Sequence, residues 1–469
     1  MSVDPDCFAA NEALELAAQL ALEYRSGAAA LDPGAAPRAE ASGFDIPLSR
    51  RGREARKVIA ALDAAARPGL TGSTKPGFMG WVIGGSHPAG IAADWLAATW
   101  GQNACLYDSS PAAAQAEAAS AAWLLDVLDL PREASVGFTT GATMAAFTAL
   151  AAARLAVLER AGHDFEAKGL FGCPEVAIYI SDDGHVTNYS VLRYLGFGDE
   201  QIRRIPSLAD GTFDCTALEQ AMRSDRVEAR IVIAQAGQIM SGGFDDFTRV
   251  SSLCRELGAW LHVDGAFGLW VRASRRLRCL AHGIELADSW SVDGHKWLQI
   301  PYDCGFAIVR DERCHRRAMA MQAGYLPNMR DTRNNSDFAP ELSRRARGFA
   351  VWAVMQSLGR LGIERMVEEH CNATHLLAQS LRHLPGVEVV NTVCLNQLAV
   401  AFIHEDADLS ELVATHLNGT GQYFVRTADW RGRKLLRFSI TCGATTDTFV
   451  RSLVDDVERI WLDLARRAA

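Results

Sequence analysis

The middle of the chain alternates short apolar runs with longer amphipathic stretches. Three of these apolar runs begin 31 and 28 residues apart, a spacing that fits one strand followed by one helix. The pattern predicts a mainly parallel sheet covered by helices, in which functional groups collect beyond the carboxyl ends of the strands. The predicted strands of this sheet are 175–181, 229–236, 260–264, 288–292 and 304–309.

The two ends of the chain have different patterns. Residues 1–75 are rich in alanine and predict helices, with a turn-rich connector at 31–43. After about residue 350 the pattern predicts a small α+β unit with helices at 363–383 and 446–467. Its predicted strands are 387–391, 396–403, 421–426 and 435–440. We therefore predict three parts: an N-terminal helical segment (1–85), a large domain (86–350) and a small C-terminal domain (351–469).

Composition and charge narrow the class of protein. Apolar residues make up 49% and charged residues 22%, as in soluble globular proteins. The net charge of 47 − 56 = −9 argues against a nucleic-acid or anionic-membrane partner. The eleven cysteines include no CxxC pair, which favours free thiols in a reducing compartment over disulfides or a metal site.

Two stretches of the sequence bear on targeting and membrane insertion: the N-terminus and the run 134–153. The first residues lack the apolar core of a signal peptide. Residues 134–153 carry no charge and are numerous enough to span a bilayer. Their glycines and threonines predict a loop in the first half of this run, which argues against a span. We expect a cytoplasmic protein with no membrane partner and no bound metal.

Lysine is scarce, which limits where a primary amine could act. Of 47 basic residues only five are lysines, and four of them lie in solvated or loop stretches: Lys57, Lys75, Lys168 and Lys434. Lys296 instead follows a predicted strand, between His295 and Trp297. Desolvation there would lower its pKa and make the neutral amine a nucleophile. The structural alternative is a lysine held by a salt bridge to Asp293.

Three further elements lie near predicted strand ends. Asp264, in HVDGAFG, is a buried carboxylate that needs a cationic partner, which is an arginine, a helix N-terminus or a protonated heterocyclic nitrogen. The stretch GFTTGATMAA (137–146) is a Gly/Thr turn running into a helix, which suits an anion. His185 follows a strand, where a lone histidine is more often structural. Together with Lys296, these are the groups that pyridoxal 5'-phosphate (PLP) requires.

In this order, the four elements resemble the group II PLP-dependent amino acid decarboxylases, which include the aromatic amino acid, histidine, glutamate and 2,4-diaminobutyrate decarboxylases. The resemblance runs from about residue 45 to the C-terminus, and its specific part is the triplet His295-Lys296-Trp297 with Asp264 32 residues earlier. The stretches FAPELSRRARGFAVWA (338–353) and WRGRKLLRFSI (430–440) are also similar. The resemblance implies an α/β fold of the aspartate-aminotransferase-like type (fold type I). It also implies a homodimer with the active site at the interface.

The resemblance implies a role for each matching residue. Lys296 would hold PLP as an internal aldimine, Asp264 would keep the pyridine nitrogen protonated, and His185 would stack on the ring. The other implied contacts are Ala266 under the ring, Thr187 beside the stacking histidine, and Gly141, Ala142, Thr143 and His295 at the phosphate. The implied reaction is decarboxylation of an L-amino acid through a quinonoid, with Lys296 or His185 as the proton donor.

This sequence departs from the family pattern at three places. Asp293 stands where many members have asparagine near the phosphate, and a carboxylate there would repel the dianion unless it faces away or pairs with an arginine. Gln238 stands where many have threonine near the cofactor's phenolic oxygen. Between Leu326 and Pro340 there is no tyrosine, although related decarboxylases carry their proton-donating tyrosine in this loop; Tyr325 precedes it.

The missing tyrosine keeps other reactions open. The same scaffold could cleave another bond at the α-carbon, as a C–C lyase does, or react with oxygen to give an aldehyde. A minor alternative is a PLP-binding protein without activity. The substrate is a small amino acid, and the apolar residues Phe78, Trp81 and Ile83 slightly favour an aromatic or aliphatic side chain.

Overall fold

The computed structural model describes residues 11–27, 33, 43–321 and 332–468. Its helices are α1 (Glu12–Arg25), α2 (Ala55–Ala66), α3 (Pro88–Trp100), α4 (Pro111–Val127), α5 (Ala142–Arg160), α6 (Phe165–Lys168), α7 (Val186–Tyr194), α8 (Cys215–Ser224), α9 (Phe247–Glu256), α10 (Glu312–Met319), α11 (Gly348–Leu381), α12 (Ser410–Gly419) and α13 (Asp447–Ala468). Its strands are β1 (Ser135–Thr139), β2 (Val176–Ser181), β3 (Ile202–Ile205), β4 (Ala229–Gln235), β5 (Trp260–Asp264), β6 (Ser289–Asp293), β7 (Gly305–Val309), β8 (Val387–Val389), β9 (Gln397–His404), β10 (Ala407–Asp408), β11 (Arg426–Trp430) and β12 (Arg433–Ser439).

The larger sheet has seven strands in the order β1-β7-β6-β5-β4-β2-β3. Strand β7 is antiparallel to both of its neighbours, and every other pair from β6 to β3 is parallel. Six strands therefore point the same way, and their carboxyl ends meet at one edge of the sheet. The predicted mainly parallel sheet is confirmed, and so are its five predicted strands, with small changes at their ends.

The uncharged run 134–153 is built into the core. Its first part is strand β1, where the sequence predicted a loop, and its second part begins helix α5. Every residue of β1 is buried, so its glycine and threonine lie in a tightly packed strand and not in a turn. Among the described residues α5 is the one helix long and apolar enough to cross a bilayer, and 67% of its apolar window is buried inside the protein. Packing against the sheet accounts for this apolar character.

The smaller sheet is antiparallel and has the order β10-β9-β12-β11, with β8 also paired to β9. Its hydrophobic core includes buried residues of α11, α12 and α13. Met79 belongs to the same core, and its N–H donates to the carbonyl oxygen of Phe424 at 2.9 Å. Part of the glycine and aromatic stretch 77–90 therefore packs on the C-terminal unit. The division into three parts stays a prediction, and its second boundary falls just inside α11.

Three further differences from the predicted elements concern α11, β11 and β3. The long helix begins at Gly348 instead of 363, because it continues through a kink at Gly359, where φ is +61°. The strand predicted at 421–426 lies at Arg426–Trp430. Strand β3 was not predicted, since Arg203 and Arg204 at this sheet edge break its apolar pattern.

Candidate active site

A cavity of about 370 Å³ opens at the carboxyl edge of the large sheet. The turns that follow β1, β2, β4, β5 and β6 all contribute to its wall, as expected for an α/β sheet. The structure brings together most of the residues that the sequence singled out. Those that line the cavity are Gly141, Ala142, Thr143, His185, Thr187, Asp264, Ala266, Asp293, His295 and Lys296.

Lys296 lies in the loop between β6 and β7, and its side chain reaches the cavity with about a fifth of its surface exposed. Its Nζ atom is 2.8 Å from Oδ2 of Asp293. The salt bridge that we named as the structural alternative is therefore present. It does not exclude a chemical role, because the amine that forms it also lines the cavity.

Asp293 ends β6 and is buried, and its carboxylate contacts the expected phosphate turn. Its Oδ1 accepts a hydrogen bond from the backbone N–H of Ala142, the first residue of α5, at 2.5 Å. A side chain at Gly141 would crowd this contact, since an added Cβ would lie 3.2 Å from Oδ1. The carboxylate neither faces away nor pairs with an arginine in the described part of the chain; it pairs with Lys296.

Asp264 ends β5 and is 9% exposed. Its Oδ2 accepts a hydrogen bond from Nδ2 of Asn188 at 2.8 Å, and its Oδ1 accepts from the N–H of Ala266 at 3.2 Å. Within the described ranges no arginine or lysine forms an ion pair with it. A buried carboxylate on a cavity wall with only neutral donors is suited to a cationic ligand.

His185 caps the N-terminus of α7. Its Nδ1 accepts from the backbone N–H of Thr187 at 3.4 Å and lies 2.7 Å from the Thr187 hydroxyl. Because a backbone N–H can only donate, the proton of the neutral ring is on Nε2. Burial lowers the pKa of His185, and the nearby Lys296 lowers it further, against the opposing effect of Asp264. A neutral, oriented ring lies on the cavity wall.

His295 lies between the phosphate turn and an aromatic ring. Its Nδ1 accepts from the N–H of Cys304 at 3.2 Å, and its Nε2 is 3.4 Å from Oδ1 of Asp293. Its ring stacks on Tyr302 with the centroids 4.3 Å apart. Burial lowers the pKa of His295, and burial together with Asp293 raises the pKa of the Tyr302 phenol to about 12.

Gln238 is not on the cavity wall, which corrects its proposed role as a cofactor contact. Its Oε1 accepts hydrogen bonds from the N–H groups of Met240 (2.6 Å) and Ser241 (2.9 Å), so the side chain folds back onto the backbone of its own loop. Three neighbours line the cavity instead: Gln235, Gly237 and Ile239. Sequence reasoning did not name Thr140, Phe267 or Tyr302 as cavity residues. Thr140 and Phe267 lie in the quoted motifs GFTTGATMAA and HVDGAFG, and Tyr302 is an aromatic residue close after Lys296.

Two contacts from the C-terminal unit hold the site from outside. Trp297 donates from Nε1 to Nδ1 of His370 at 2.8 Å, and Nε2 of His370 donates to the carbonyl oxygen of Cys442 at 3.0 Å. On the other side, Asp183, two residues before His185, accepts from Nε1 of Trp430 at 3.2 Å and from Nη2 of Arg431 at 3.1 Å. The loops carrying Lys296 and His185 therefore both depend on the C-terminal unit.

The loop without a tyrosine is described only in its second half. Tyr325 and the residues up to 331 lie outside the described residues. From 332 onward the chain is packed: Oδ1 of Asn334 accepts from the N–H of Tyr107 at 3.0 Å, and Asn335 is 3% exposed. This half does not line the cavity.

The apolar residues proposed for substrate selection lie elsewhere in the protomer. Phe78 is buried and stacks on Phe424 with the centroids 4.6 Å apart, whereas Trp81 is half exposed. Neither these two nor Ile83 lines the cavity.

The cavity fits PLP in its chemistry. The start of α5 offers backbone N–H groups for a phosphate, Asp264 offers a carboxylate without a cation, and Lys296 offers a primary amine. Ala266 and His185 line the cavity with one small and one flat side chain. The single conflict is Asp293, whose carboxylate contacts the N–H that a phosphate would use.

Comparisons with known proteins agree with this chemistry. Residues 37–403 match the family model described as the pyridoxal-dependent decarboxylase conserved domain. The aromatic-L-amino-acid decarboxylase of Bacillus atrophaeus is 27% identical over 397 residues, which cover 83% of this chain and 79% of the relative. Tryptophan decarboxylase 1 of Oryza sativa subsp. japonica is 28% identical over 421 residues, covering 83% and 81%.

A solved structure shares the whole fold. The crystal structure of Oryza sativa TDC with PLP and tryptamine matches with a TM-score of 0.90 at 24% identity and covers 99% of both chains. The predicted fold class and cofactor are confirmed, and the alternatives to decarboxylation are not favoured. This chain belongs to the pyridoxal-dependent decarboxylase family, and its activity is the PLP-dependent decarboxylation of an amino acid.

Proposed function

We propose that this protein decarboxylates an aromatic L-amino acid to the corresponding amine, as a homodimer in the cytoplasm. The single observation that carries the chemistry is the meeting of Lys296 and the cation-free carboxylate of Asp264 in one cavity beside the α5 N-terminus. The aromatic substrate is supported by relatives whose names specify aromatic amino acids or tryptophan.

PLP supplies an electron-withdrawing pyridinium ring that weakens the bond between the α-carbon and its carboxylate. Asp264 would hold the proton on the ring nitrogen of bound PLP, because its carboxylate has no other cation among the described residues. Asn188 orients this carboxylate through the 2.8 Å hydrogen bond. His185, fixed by Thr187, supplies the flat surface against which the ring is positioned.

A proton must reach the α-carbon after CO2 leaves. Lys296, His185 and Tyr302 are the cavity-lining groups that can donate one. Tyr302 is fully protonated near neutral pH, since its pKa is raised to about 12. The cavity therefore contains a phenol although the 326–340 loop has none, which supports the amine and not the aldehyde as product.

The test is product analysis with the purified holoenzyme. We expect CO2 and amine in equal amounts from aromatic L-amino acids, with no peroxide under air, and little turnover of acidic or small ones. Lys296→Ala should abolish turnover, whereas Lys168→Ala, which changes a lysine outside the cavity, should not. Peroxide and aldehyde in place of amine would contradict the proposed reaction, and preference for glutamate would contradict the substrate class.

The homodimer is supported by an apolar groove of about 780 Å³ between α3, α4 and α11. We call it the tryptophan groove; its larger apolar residues are Leu96, Trp100, Phe349 and Trp352. Three of them are exposed by more than two fifths, and exposed apolar surface of this kind is typical of protein interfaces. The cytoplasm is supported by the cysteines, since the ten within the described ranges are unpaired thiols.

A further inference from the structure

Asp293 contacts both of the groups that the cofactor must reach. Its side chain is only 3% exposed. One carboxylate oxygen accepts the N–H of Ala142 at 2.5 Å, and the other lies 2.8 Å from Nζ of Lys296. The carboxylate is thus an anion at the phosphate turn and the counter-ion of the amine at the same time.

The charged and titratable groups around Asp293 come from three sides. On its own loop His295 lies 3.4 Å away and Lys296 forms the ion pair, while from the same segment the phenol of Tyr302 and the buried thiol of Cys304 lie within its field. His185, at the start of α7, interacts electrostatically with Asp293. From α5 it faces backbone N–H groups. Lys296 is the one lysine or arginine within the described residues that forms an ion pair with it.

Binding of PLP removes both of these partners. The phosphate dianion needs the N–H groups at the start of α5, including that of Ala142. When the ammonium group of Lys296 condenses with the cofactor's aldehyde, one water leaves; if the imine nitrogen gives up its proton, Asp293 loses its counter-ion as well. The ionised form of a buried carboxylate beside a phosphate is strongly disfavoured, because like charges raise each other's pKa.

We propose that Asp293 is an internal anion that occupies the phosphate turn of the cofactor-free protein, and that phosphate binding displaces it and adds one proton to it. The proton comes from solvent when inorganic phosphate binds, and the ammonium group of Lys296 can supply it when PLP binds. Asp293 therefore weakens cofactor binding, and more so at high pH, where the proton is scarcer. This inference rests on the proposed function only in taking PLP as the cofactor.

The test compares Asp293→Asn with the wild type. The amide keeps the shape of the side chain but carries no charge, so the variant should bind PLP more tightly. We expect the dissociation constant of the holoenzyme for PLP, measured by cofactor release on dilution, to fall at least about tenfold at pH 8 and less at pH 6. Asp303→Asn is the control, since Asp303 lies in the same loop but pairs with Arg347.

Two further ligands distinguish the two partners of Asp293. Inorganic phosphate binds only at the phosphate turn, whereas pyridoxal reacts only with the amine of Lys296. Titration calorimetry of the full chain stripped of cofactor should show tighter phosphate binding and less proton uptake in Asp293→Asn than in the wild type. The gain for PLP should exceed the gain for pyridoxal, which lacks the phosphate. If Asp293→Asn does not fold, Asp293→Ser makes the same comparison without the carboxylate.

Equal or weaker phosphate binding by the charge-free variant at pH 8 would overturn the inference. So would an equal gain with PLP and pyridoxal, because the effect would then act through Lys296 alone. These measurements need no turnover. A wild type that binds PLP but releases no CO2 would contradict the proposed function and leave the inference about Asp293 intact.

Discussion

Among the residues that the structure describes, Asp264 is held by neutral hydrogen-bond donors alone, and we propose that its charge is needed for the reaction. Asp264→Asn should keep PLP bound but lower kcat by orders of magnitude, because each pKa unit lost at the ring nitrogen removes about 1.4 kcal/mol of preference for the protonated ring. Comparing kcat with bound cofactor checks this. Asp288→Asn is the matched control: this half-buried carboxylate accepts the N–H of Leu261 at the other end of the strands and should affect stability but not kcat.

Gly84 packs directly on the backbone of the reactive lysine. A Cβ added there would overlap the carbonyl oxygen of Lys296 and lie 2.8 Å from that of His295. Gly84→Ala should therefore displace the loop, lowering both PLP occupancy and the melting temperature. Gly52→Ala, at a glycine with open space around it, should change neither. Normal PLP occupancy in Gly84→Ala would show that the loop can move without loss of the site.

At the residue scale, the sequence predicted which groups can do chemistry better than it predicted where side chains point. Lys296, Asp264 and His185 follow strands whose ends must meet, so their convergence follows from the parallel sheet. Gln238 was misplaced because the local turn decides which of its residues faces the cavity, and turn geometry leaves little trace in apolar periodicity. Tyr302 was not singled out because its position depends on stacking against His295.

Helix α11 connects the two halves of the molecule through His370, a buried neutral histidine. Burial lowers the pKa of His370 to about 4. The unfolded chain, with a pKa near 6.5, therefore takes up a proton at pH values where the folded protein does not. The stability from keeping this ring neutral is complete above about pH 6.5 and is lost as the pH falls towards 4.

We expect His370→Gln, which cannot titrate, to have a shallower fall in unfolding free energy between pH 6.5 and 4.5, by up to about 1.4 kcal/mol per pH unit. Urea unfolding measures this. The comparison with the wild type is needed because other buried groups also make the unfolding free energy depend on pH. His262 and His315 lower it as the pH falls, whereas Asp245, with a pKa raised to about 7, raises it. Parallel pH profiles for the two proteins would contradict the assignment.

At the element scale, apolar periodicity identified the strands buried on both faces and failed where burial or neighbours changed the pattern. Strand β1 has the composition of a turn, yet all of it is buried beside β7. Helix α11 carries a glycine that typically ends a helix, and the chain continues after a kink. In both cases tertiary contacts, which are not visible in local sequence, outweigh local propensity.

At the scale of the whole molecule, the proposed homodimer requires an interface, and we propose that the tryptophan groove forms it. Trp352→Glu places a charge in this groove and should convert the dimer to monomers, with loss of activity if the site is completed at the interface. Light scattering after gel filtration measures the mass. Phe171→Glu is the control, since Phe171 is 91% exposed outside the groove. A dimeric Trp352→Glu would show that the interface lies elsewhere.

The turn between β11 and β12 has a consequence for protein engineering. A two-residue turn containing glycine, here Arg431–Gly432, is the kind of surface position at which epitope tags are commonly inserted. Yet Arg431 and Trp430 both hold Asp183, two residues before His185. We expect a tag inserted in this turn to leave the fold intact but to shift His185, the residue proposed to stack on the cofactor ring, so that a fusion here gives well-expressed, soluble protein with impaired catalysis.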